Sequence, residues 1–170
     1  KTNQLTMRPF TEADKYDLHQ VLSEENIMQY FPNPSAPDLG RVERLIRFQA
    51  EHWEKYGYGW WALVPDADPR VIGWCWLNYL EETTETEVGY LLSKAYWGKG
   101  MASEAARASI QYGFQVHDFD KIIGLTHPEN IGSQKVLLKC GMTFLLQTEY
   151  FGMQCKKFEI TRDEFLKTGH

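Results

Sequence analysis

The sequence has little of what marks several protein classes. Its three cysteines, Cys75, Cys140 and Cys155, form no C-x-x-C pair, so neither a disulfide framework nor a zinc site is expected. No apolar run reaches the length of a membrane span, and no signal-peptide pattern opens the chain. The net charge is −5, without the basic patch that nucleic acid requires. These features predict a cytoplasmic protein with no metal, membrane or nucleic-acid partner.

The composition suits one globular domain over residues 1–170. Of these 170 residues, 43% are hydrophobic and 24% are charged, which is enough apolar surface for a substantial core. No internal repeat or low-complexity tract divides the chain. We therefore expect a single domain.

Hydrophobic periodicity predicts alternating strands and helices. A capping box at Thr11 and Asp14 begins a first helix, Gly57 follows the end of a second, and Phe151-Gly152 turns a closing hairpin. The other predicted strands are Leu5–Phe10, Gly59–Val64, Val71–Leu80, Glu85–Ser93 and Lys121–His127. The resulting order, β-α-α-β-β-β-α-β-α-β-β, predicts an α/β fold with a single mixed, mostly antiparallel sheet flanked by helices.

The stretch WGKGMA, residues 97–102, lies between a strand that ends at Leu92 and a helix that begins near Gly100. The first amides of a helix have no intrahelical partners and the helix dipole is positive there, so such a site attracts anions. Glycines bring the backbone close to a phosphate, and Lys99 adds a positive charge. A simple tight turn between strand and helix is the plainer interpretation of this spacing.

Two phosphate-binding motifs are excluded by the sequence around this loop. A Walker loop needs G-x-x-x-x-G-K-[S/T], which is absent. The dinucleotide fingerprint G-x-G-x-x-G/A is nearly met, but it requires an acidic residue at the end of the following strand. Asp118 and Asp120 precede that strand, which ends in His127.

Two separated motifs resemble the GNAT superfamily of N-acetyltransferases, in particular its RimJ/RimL-like branch. EVGYLLSKAYWGKGMASEA, residues 87–105, is similar to the acetyl-CoA signature Q/R-x-x-G-x-G/A, with Trp97 in place of Gln or Arg. HPENIGSQKVLLKCGM, residues 127–142, is similar to the N-x-x-S/A…K-x-G-F segment, with Met142 in place of Phe. Motif order and element order together cover nearly the whole chain and imply the GNAT fold.

The resemblance implies acetyl-CoA as the acetyl donor, and no metal. Amides from Gly98 to Ala102 would surround its pyrophosphate, and the preceding strand would splay at Tyr90–Leu92 to bind the pantetheine arm. Asn130 would bind pantetheine or stabilise the loop, unless it only caps its helix; Lys135 and Lys139 are expected to be solvated. The cofactor-binding residues implied in this way are Tyr90, Leu91, Leu92, Trp97, Gly98, Lys99, Gly100, Met101, Ala102, Asn130 and Ser133.

The implied chemistry is direct attack of an amine on the thioester, which needs a base, oxyanion stabilisation and a proton for the thiolate. The resemblance implies Glu87 as the catalytic base, although it could be a solvated charge of the preceding turn. The family tyrosine seven residues after the Asn is replaced by Leu137, which makes Ser133 the substitute proton donor or only a first-turn serine. Tyr150 and His127 are weaker candidates, and an amide near Leu91 or Leu92 would bind the oxyanion.

The sequence leaves the amine acceptor open between a peptide N-terminus, a polyamine and a small molecule. An acidic stretch favours a cationic amine, and a group of tryptophans could line a pocket, although strand alternation places most of them in the core. The acidic residues are Glu81, Glu82, Glu85 and Glu87, and the tryptophans are Trp53, Trp60, Trp61, Trp74 and Trp76. A non-catalytic acyl-CoA-binding or sensing module is the alternative function, and a homodimer is the assembly suggested by analogy.

Overall fold

A computed structural model describes residues 1–167, and seven strands form its single sheet. The strands are β1 Leu5–Pro9, β2 Trp60–Pro65, β3 Gly73–Leu80, β4 Glu85–Leu92, β5 Lys121–Thr126, β6 Thr143–Tyr150 and β7 Met153–Thr161. Their order across the sheet is β1-β2-β3-β4-β5-β7-β6. Neighbouring strands are antiparallel except β4 and β5, which are parallel. The predicted mixed, mostly antiparallel sheet is confirmed.

Residues 1–167 contain five α-helices, of which the first four follow the predicted order and the fifth comes after the last strand. They are α1 Lys15–Leu22, α2 Leu39–Tyr56, α3 Met101–Val116, α4 Ile131–Lys139 and α5 Arg162–Lys167. The Thr11–Asp14 capping box forms as predicted, and Gly57 ends α2 in a left-handed conformation with φ 71°. None of the helices in residues 1–167 is both long and apolar enough to cross a bilayer.

The strand period of two divides the core between the two faces of the sheet. In β3, Cys75 and Leu77 pack with α3 and α4, whereas Trp74 and Trp76 pack with α1 and α2. On the first face, four of the six buried positions of α3 are small, namely Ala105, Ala106, Ser109 and Gly113. A Cβ at Gly113 would lie 2.9 Å from Ile122 Cδ1. Gly113 therefore allows the C-terminal half of α3 to pack closely on the sheet.

Candidate active site

The parallel strands β4 and β5 separate part-way along their length. They are paired at Glu87–Ile123 and Val88–Gly124 and splay beyond Val88, one residue before the predicted Tyr90–Leu92 segment. β4 stays paired with β3 as far as Leu92, so its other edge, from Gly89 onward, is turned toward the opening. An exposed strand edge of this kind can bind an extended chain through backbone hydrogen bonds.

A cavity of about 450 Å³ extends from this splay to the glycine loop. It lies between the ends of β4, the start of α3, the first turns of α4 and the loop after α1. Nine predicted cofactor-binding residues line it, namely Tyr90, Leu91, Leu92, Trp97, Gly98, Gly100, Ala102, Asn130 and Ser133. The structure therefore brings the two sequence motifs to the same cavity.

The glycine loop has the backbone that only glycine adopts readily. Gly98 and Gly100 have φ of 74° and 81°, and an added Cβ at either would meet nothing within 4 Å. The indole of Trp97 donates to the Leu92 carbonyl at 2.8 Å, which fixes the loop to the end of β4. Open space over a left-handed loop at a helix N-terminus fits a pyrophosphate, because the first amides of α3 have no intrahelical partners there.

Two predicted cofactor residues do not line this cavity. The Lys99 ammonium lies 4.9 Å from the centre of the Tyr96 ring, and Met101 packs on the core. The cation–π contact holds the Lys99 charge beside the cavity and not in it. Lys135 and Lys139 are exposed, as expected for solvated lysines, and they also line the cavity from α4.

The loop after α1 forms a wall that sequence analysis missed. Tyr30 and Phe31 line the cavity, and Tyr30 stacks on His127 at the end of β5 with 5.1 Å between ring centres. The Lys94 amide donates to the Glu24 carboxylate at 2.9 Å and fixes this loop near the glycine loop. The aromatic pair before the proline-rich segment was the available signal, but no periodicity indicates which way it faces.

A second cavity of about 400 Å³ lies on the α1–α2 side of the sheet. It meets the first cavity where five residues line both, namely Tyr30, Phe31, Tyr90, Asn130 and Ser133. One long substrate could therefore reach from the glycine loop to the splay and meet a second substrate there.

Glu87 is the acidic residue of the second cavity, and it is 8% exposed. Burial raises the pKa of its carboxyl to about 8. The neighbouring Trp76 indole lowers this pKa slightly, although its N–H makes no hydrogen bond of normal geometry with residues 1–167. The prediction that Glu87 is only a solvated turn charge is thus wrong. A carboxyl with this pKa is matched to accept a proton from an ammonium near neutral pH.

Trp76 reaches this position because residue 89 is glycine. A Cβ at Gly89 would lie 2.2 Å from Trp76 Cε2 and Cζ2, so the indole rests directly on the β4 backbone where the strands begin to splay. Any other residue at 89 would displace the ring from its place beside Glu87. The glycine of the EVGYLL segment is therefore required by packing in the site.

Ser133 is held by Tyr90 and Asn130. The Tyr90 hydroxyl donates to the Ser133 carbonyl at 2.8 Å, and since a phenol has one hydrogen, the 3.0 Å contact between the two hydroxyls is donated by Ser133. The Asn130 side chain accepts from the Ser133 amide at 3.1 Å, so Asn130 caps α4 while lining the cavity. Burial raises the pKa of Tyr90. The Ser133 side chain is thus held at the place where the two cavities meet.

The acidic stretch does not form the acceptor site as expected. Glu85 binds Lys157 at 2.6 Å and Tyr150 at 2.9 Å, and Glu81, Glu82 and Glu85 are absent from the cavity lining. Most of the five tryptophans are core residues, as expected: Trp61, Trp74 and Trp76 are buried, and Trp53 and Trp60 pack partly buried against the core. Trp60, Trp74 and Trp76 also line the second cavity. Their buried indole N–H groups have no acceptor among residues 1–167.

Residues 4–143 match the acetyltransferase (GNAT) domain family. The chain belongs to this family. It is 30% identical over 141 residues to the uncharacterized N-acetyltransferase YnaD of Bacillus subtilis, which covers 83% of this chain and 80% of that protein. As in its GNAT relatives, the activity is that of an N-acetyltransferase, and the family supports acetyl-CoA as the donor.

Solved GNAT structures share the fold. RimL, a ribosomal alpha-N-protein acetyltransferase in complex with coenzyme A, superimposes with a TM-score of 0.82 at 16% identity, over 96% of this chain and 97% of that one. The spermidine N-acetyltransferase of Vibrio cholerae in complex with CoA and spermine gives 0.77 at 21% identity, over 96% and 98%. At these identities the likeness supports the fold and does not identify the acceptor.

Proposed function

We propose that this GNAT enzyme transfers the acetyl group of acetyl-CoA to a primary amine by direct attack, with Glu87 as the base. The observation that carries the proposal is a buried carboxyl with a raised pKa in a cavity that meets the glycine-loop cavity at the splay. We further propose that the enzyme belongs to the RimJ/RimL-like branch, is cytoplasmic, consists of one domain over 1–170 and forms a homodimer.

The first cavity is proposed to hold acetyl-CoA. Amides of Gly98 to Ala102 bind the pyrophosphate, and Lys135 and Lys139 contribute positive charge at the open side of the cavity. The open edge of β4 beyond Val88 binds the pantetheine arm as an added strand. This arrangement points the thioester toward the junction of the two cavities. Lys99 contributes through its backbone, because its side chain lies on Tyr96.

The residues of the junction then supply the proton steps. Glu87 takes a proton from the ammonium, and the neutral nitrogen attacks the thioester carbon to form a tetrahedral oxyanion, which a backbone amide near Leu91 or Leu92 stabilises. As the carbon–sulfur bond breaks, the attacking nitrogen loses its second proton, and Ser133 relays this proton to the departing thiolate and keeps its own hydroxyl. The products are an N-acetylated amine and the free thiol of CoA.

Release of free CoA thiol from acetyl-CoA in the presence of amines tests the proposal. Turnover with at least one amine is expected, and calorimetry should show CoA binding without any amine. Binding of CoA without turnover on any amine would favour an acyl-CoA sensor, and absence of CoA binding would contradict both functions.

Single substitutions separate the proposed roles. Glu87→Gln is expected to lower kcat by about 100-fold, the typical effect of losing a general base, with CoA affinity unchanged. Ser133→Ala should lower kcat by less, because water can also protonate a thiolate. Glu81→Gln, an exposed carboxyl outside the cavity lining, is the matched control. Full activity of Glu87→Gln would overturn the assignment of the base.

A further inference from the structure

The second cavity has an aromatic wall built by strand register. Trp60 pairs with Trp76 across β2 and β3, and Trp74 lies two residues from Trp76 on the same face. The Trp60 ring centre lies 4.8 Å from that of Trp76, with an interplanar angle of 23°, and 4.9 Å from that of Trp74. The three indoles therefore form a continuous surface. We call this surface of Trp60, Trp74 and Trp76 the tryptophan wall.

The remaining sides of the cavity are also largely apolar. Phe31 packs edge-on against Trp74 and Trp76, with ring centres 6.5 and 6.1 Å away. Tyr150 and Phe151, at the tip of the β6–β7 hairpin, line the cavity as well. A flat apolar ligand would thus contact aromatic rings from both the sheet and the loops.

Charge in the cavity is scarce. Among the lining residues only Glu87 and Arg41 are acidic or strongly basic. Glu87 is the one carboxyl among these lining residues and can pair with one ammonium, whereas Arg41 is exposed and positive. A polyamine brings two or more ammonium groups, and its second one would find no carboxylate here and would meet Arg41. Burial of an unpaired ammonium is strongly unfavourable.

We propose that the acceptor is a small monoamine whose primary amine is carried on an aromatic group, an arylalkylamine in chemical class. Its ring packs on the tryptophan wall and its nitrogen reaches Glu87. This inference rests on the acetyltransferase function proposed above and names one class of acceptor for it, and preference for a polyamine or a peptide N-terminus is an outcome of the test that would overturn it.

Rates with a matched amine panel test the inference. The panel is 2-phenylethylamine, n-butylamine as the amine without a ring, spermidine, and a short peptide with a free N-terminus. We expect kcat/KM for 2-phenylethylamine to exceed that of each other amine by about tenfold or more, since ring burial adds affinity. A kcat/KM for spermidine or the peptide equal to or above that of 2-phenylethylamine would overturn it.

Binding separates this inference from the proposed function. Calorimetric titration of 2-phenylethylamine into the CoA-saturated protein needs no turnover and should show tighter binding than n-butylamine. If 2-phenylethylamine binds more tightly than n-butylamine but no CoA thiol is released, the proposed catalysis is contradicted and the proposed aromatic acceptor site is supported. If the enzyme turns over both amines with equal kcat/KM, the proposed aromatic acceptor site is contradicted and the proposed catalysis is supported.

Substitutions in the tryptophan wall test whether it is the source of the preference for aromatic amines. Trp60 is half-buried, so Trp60→Ala should fold and should lower the ratio of kcat/KM for 2-phenylethylamine over n-butylamine by about fivefold or more. Trp60→Phe keeps a ring and should restore most of that ratio. Tyr79→Ala, on the opposite face of β3 and outside the cavity lining, is the control. An unchanged ratio in Trp60→Ala would contradict the proposal.

Discussion

At the scale of single residues, the site depends on one carboxyl that the fold keeps away from water. Glu87 and Glu85 lie two residues apart on β4 and differ in environment. Burial alone would raise the pKa of Glu85 as well, but hydrogen bonds from Lys157 and Tyr150 hold it at about 2. Glu87 has no cationic partner within the described chain, and burial raises its pKa to about 8. Glu85 is therefore ionised and paired, whereas the raised pKa of Glu87 suits the role of base proposed for it.

This difference predicts opposite effects of pH on stability. Because the folded-state pKa of Glu87 lies above the unfolded value near 4.5, the folded state binds the extra proton between these values. The burial penalty is absent below pH 4.5, grows by about 1.4 kcal/mol per pH unit up to about 8, and is constant above. Glu87→Gln should thus gain stability over the wild type as pH rises through this window, measured by urea unfolding.

Glu85→Gln should behave in the opposite way and in a lower window. The depressed pKa of Glu85 stabilises the fold above about pH 4.5, and this contribution is lost as pH falls toward 2. A difference between wild type and Glu87→Gln that does not change between pH 5 and 8 would show that Glu87 is hydrated in the folded protein. The activity profile of the wild type should rise with the same apparent pKa near 8.

At the scale of elements, the turn of the β6–β7 hairpin has a strained backbone residue where it lines the second cavity. Phe151 has φ 54° and is 55% exposed, a left-handed backbone that a bulky residue rarely adopts. Gly152, with φ 72°, takes the second turn position without cost. Because Phe151 combines this strain with a place in the lining of the second cavity, we expect its ring to serve acceptor binding.

Phe151→Asn should therefore raise stability and weaken acceptor binding in the same protein. Asparagine tolerates the left-handed region, so the free energy of unfolding should rise by about 1 kcal/mol, whereas loss of the ring should raise KM for the amine. Phe151→Tyr keeps an aromatic ring and the strained backbone, so it should change neither the free energy of unfolding nor the KM for the amine by much. Urea unfolding and steady-state kinetics measure the two effects, and a fall in stability would show that packing on Tyr150 outweighs the strain.

How far the sequence predicts these elements depends on the range of the interactions. The sequence predicted the Thr11–Asp14 capping box, the end of α2 at Gly57 and the Asn130 N-cap of α4. Each of these features depends on interactions between residues at most four apart in the chain. The sequence did not predict the direction of the Lys99 side chain, because the tertiary fold determines where the Tyr96 ring that it contacts lies. The wall formed by Tyr30 was also missed, because its partner His127 lies almost 100 residues away.

At the scale of the whole molecule, the acidic residues and the apolar surface are distributed differently from the sequence-based expectation. Of the acidic stretch, Glu81, Glu82 and Glu85 are absent from the lining of the second cavity and Glu87 is present, so the net charge of −5 does not describe the charge of that cavity. One edge of the sheet is instead apolar. Phe144, Leu145 and Leu146 on β6, the last strand of the sheet, are 52%, 50% and 42% exposed. Natural proteins rarely leave a long apolar strand edge uncovered.

We therefore expect β6 to mediate the proposed homodimer. Leu146→Lys places a charge on this edge and should shift the chain to monomers, measured by sedimentation across a range of protein concentrations. Gln147→Lys, on the same strand and already exposed, adds the same charge without removing apolar surface and is the matched control. If both variants dissociate equally, charge repulsion and not apolar contact controls assembly. A wild-type chain that stays monomeric at every concentration would contradict the prediction, because the exposed β6 edge would then carry no partner of its own kind.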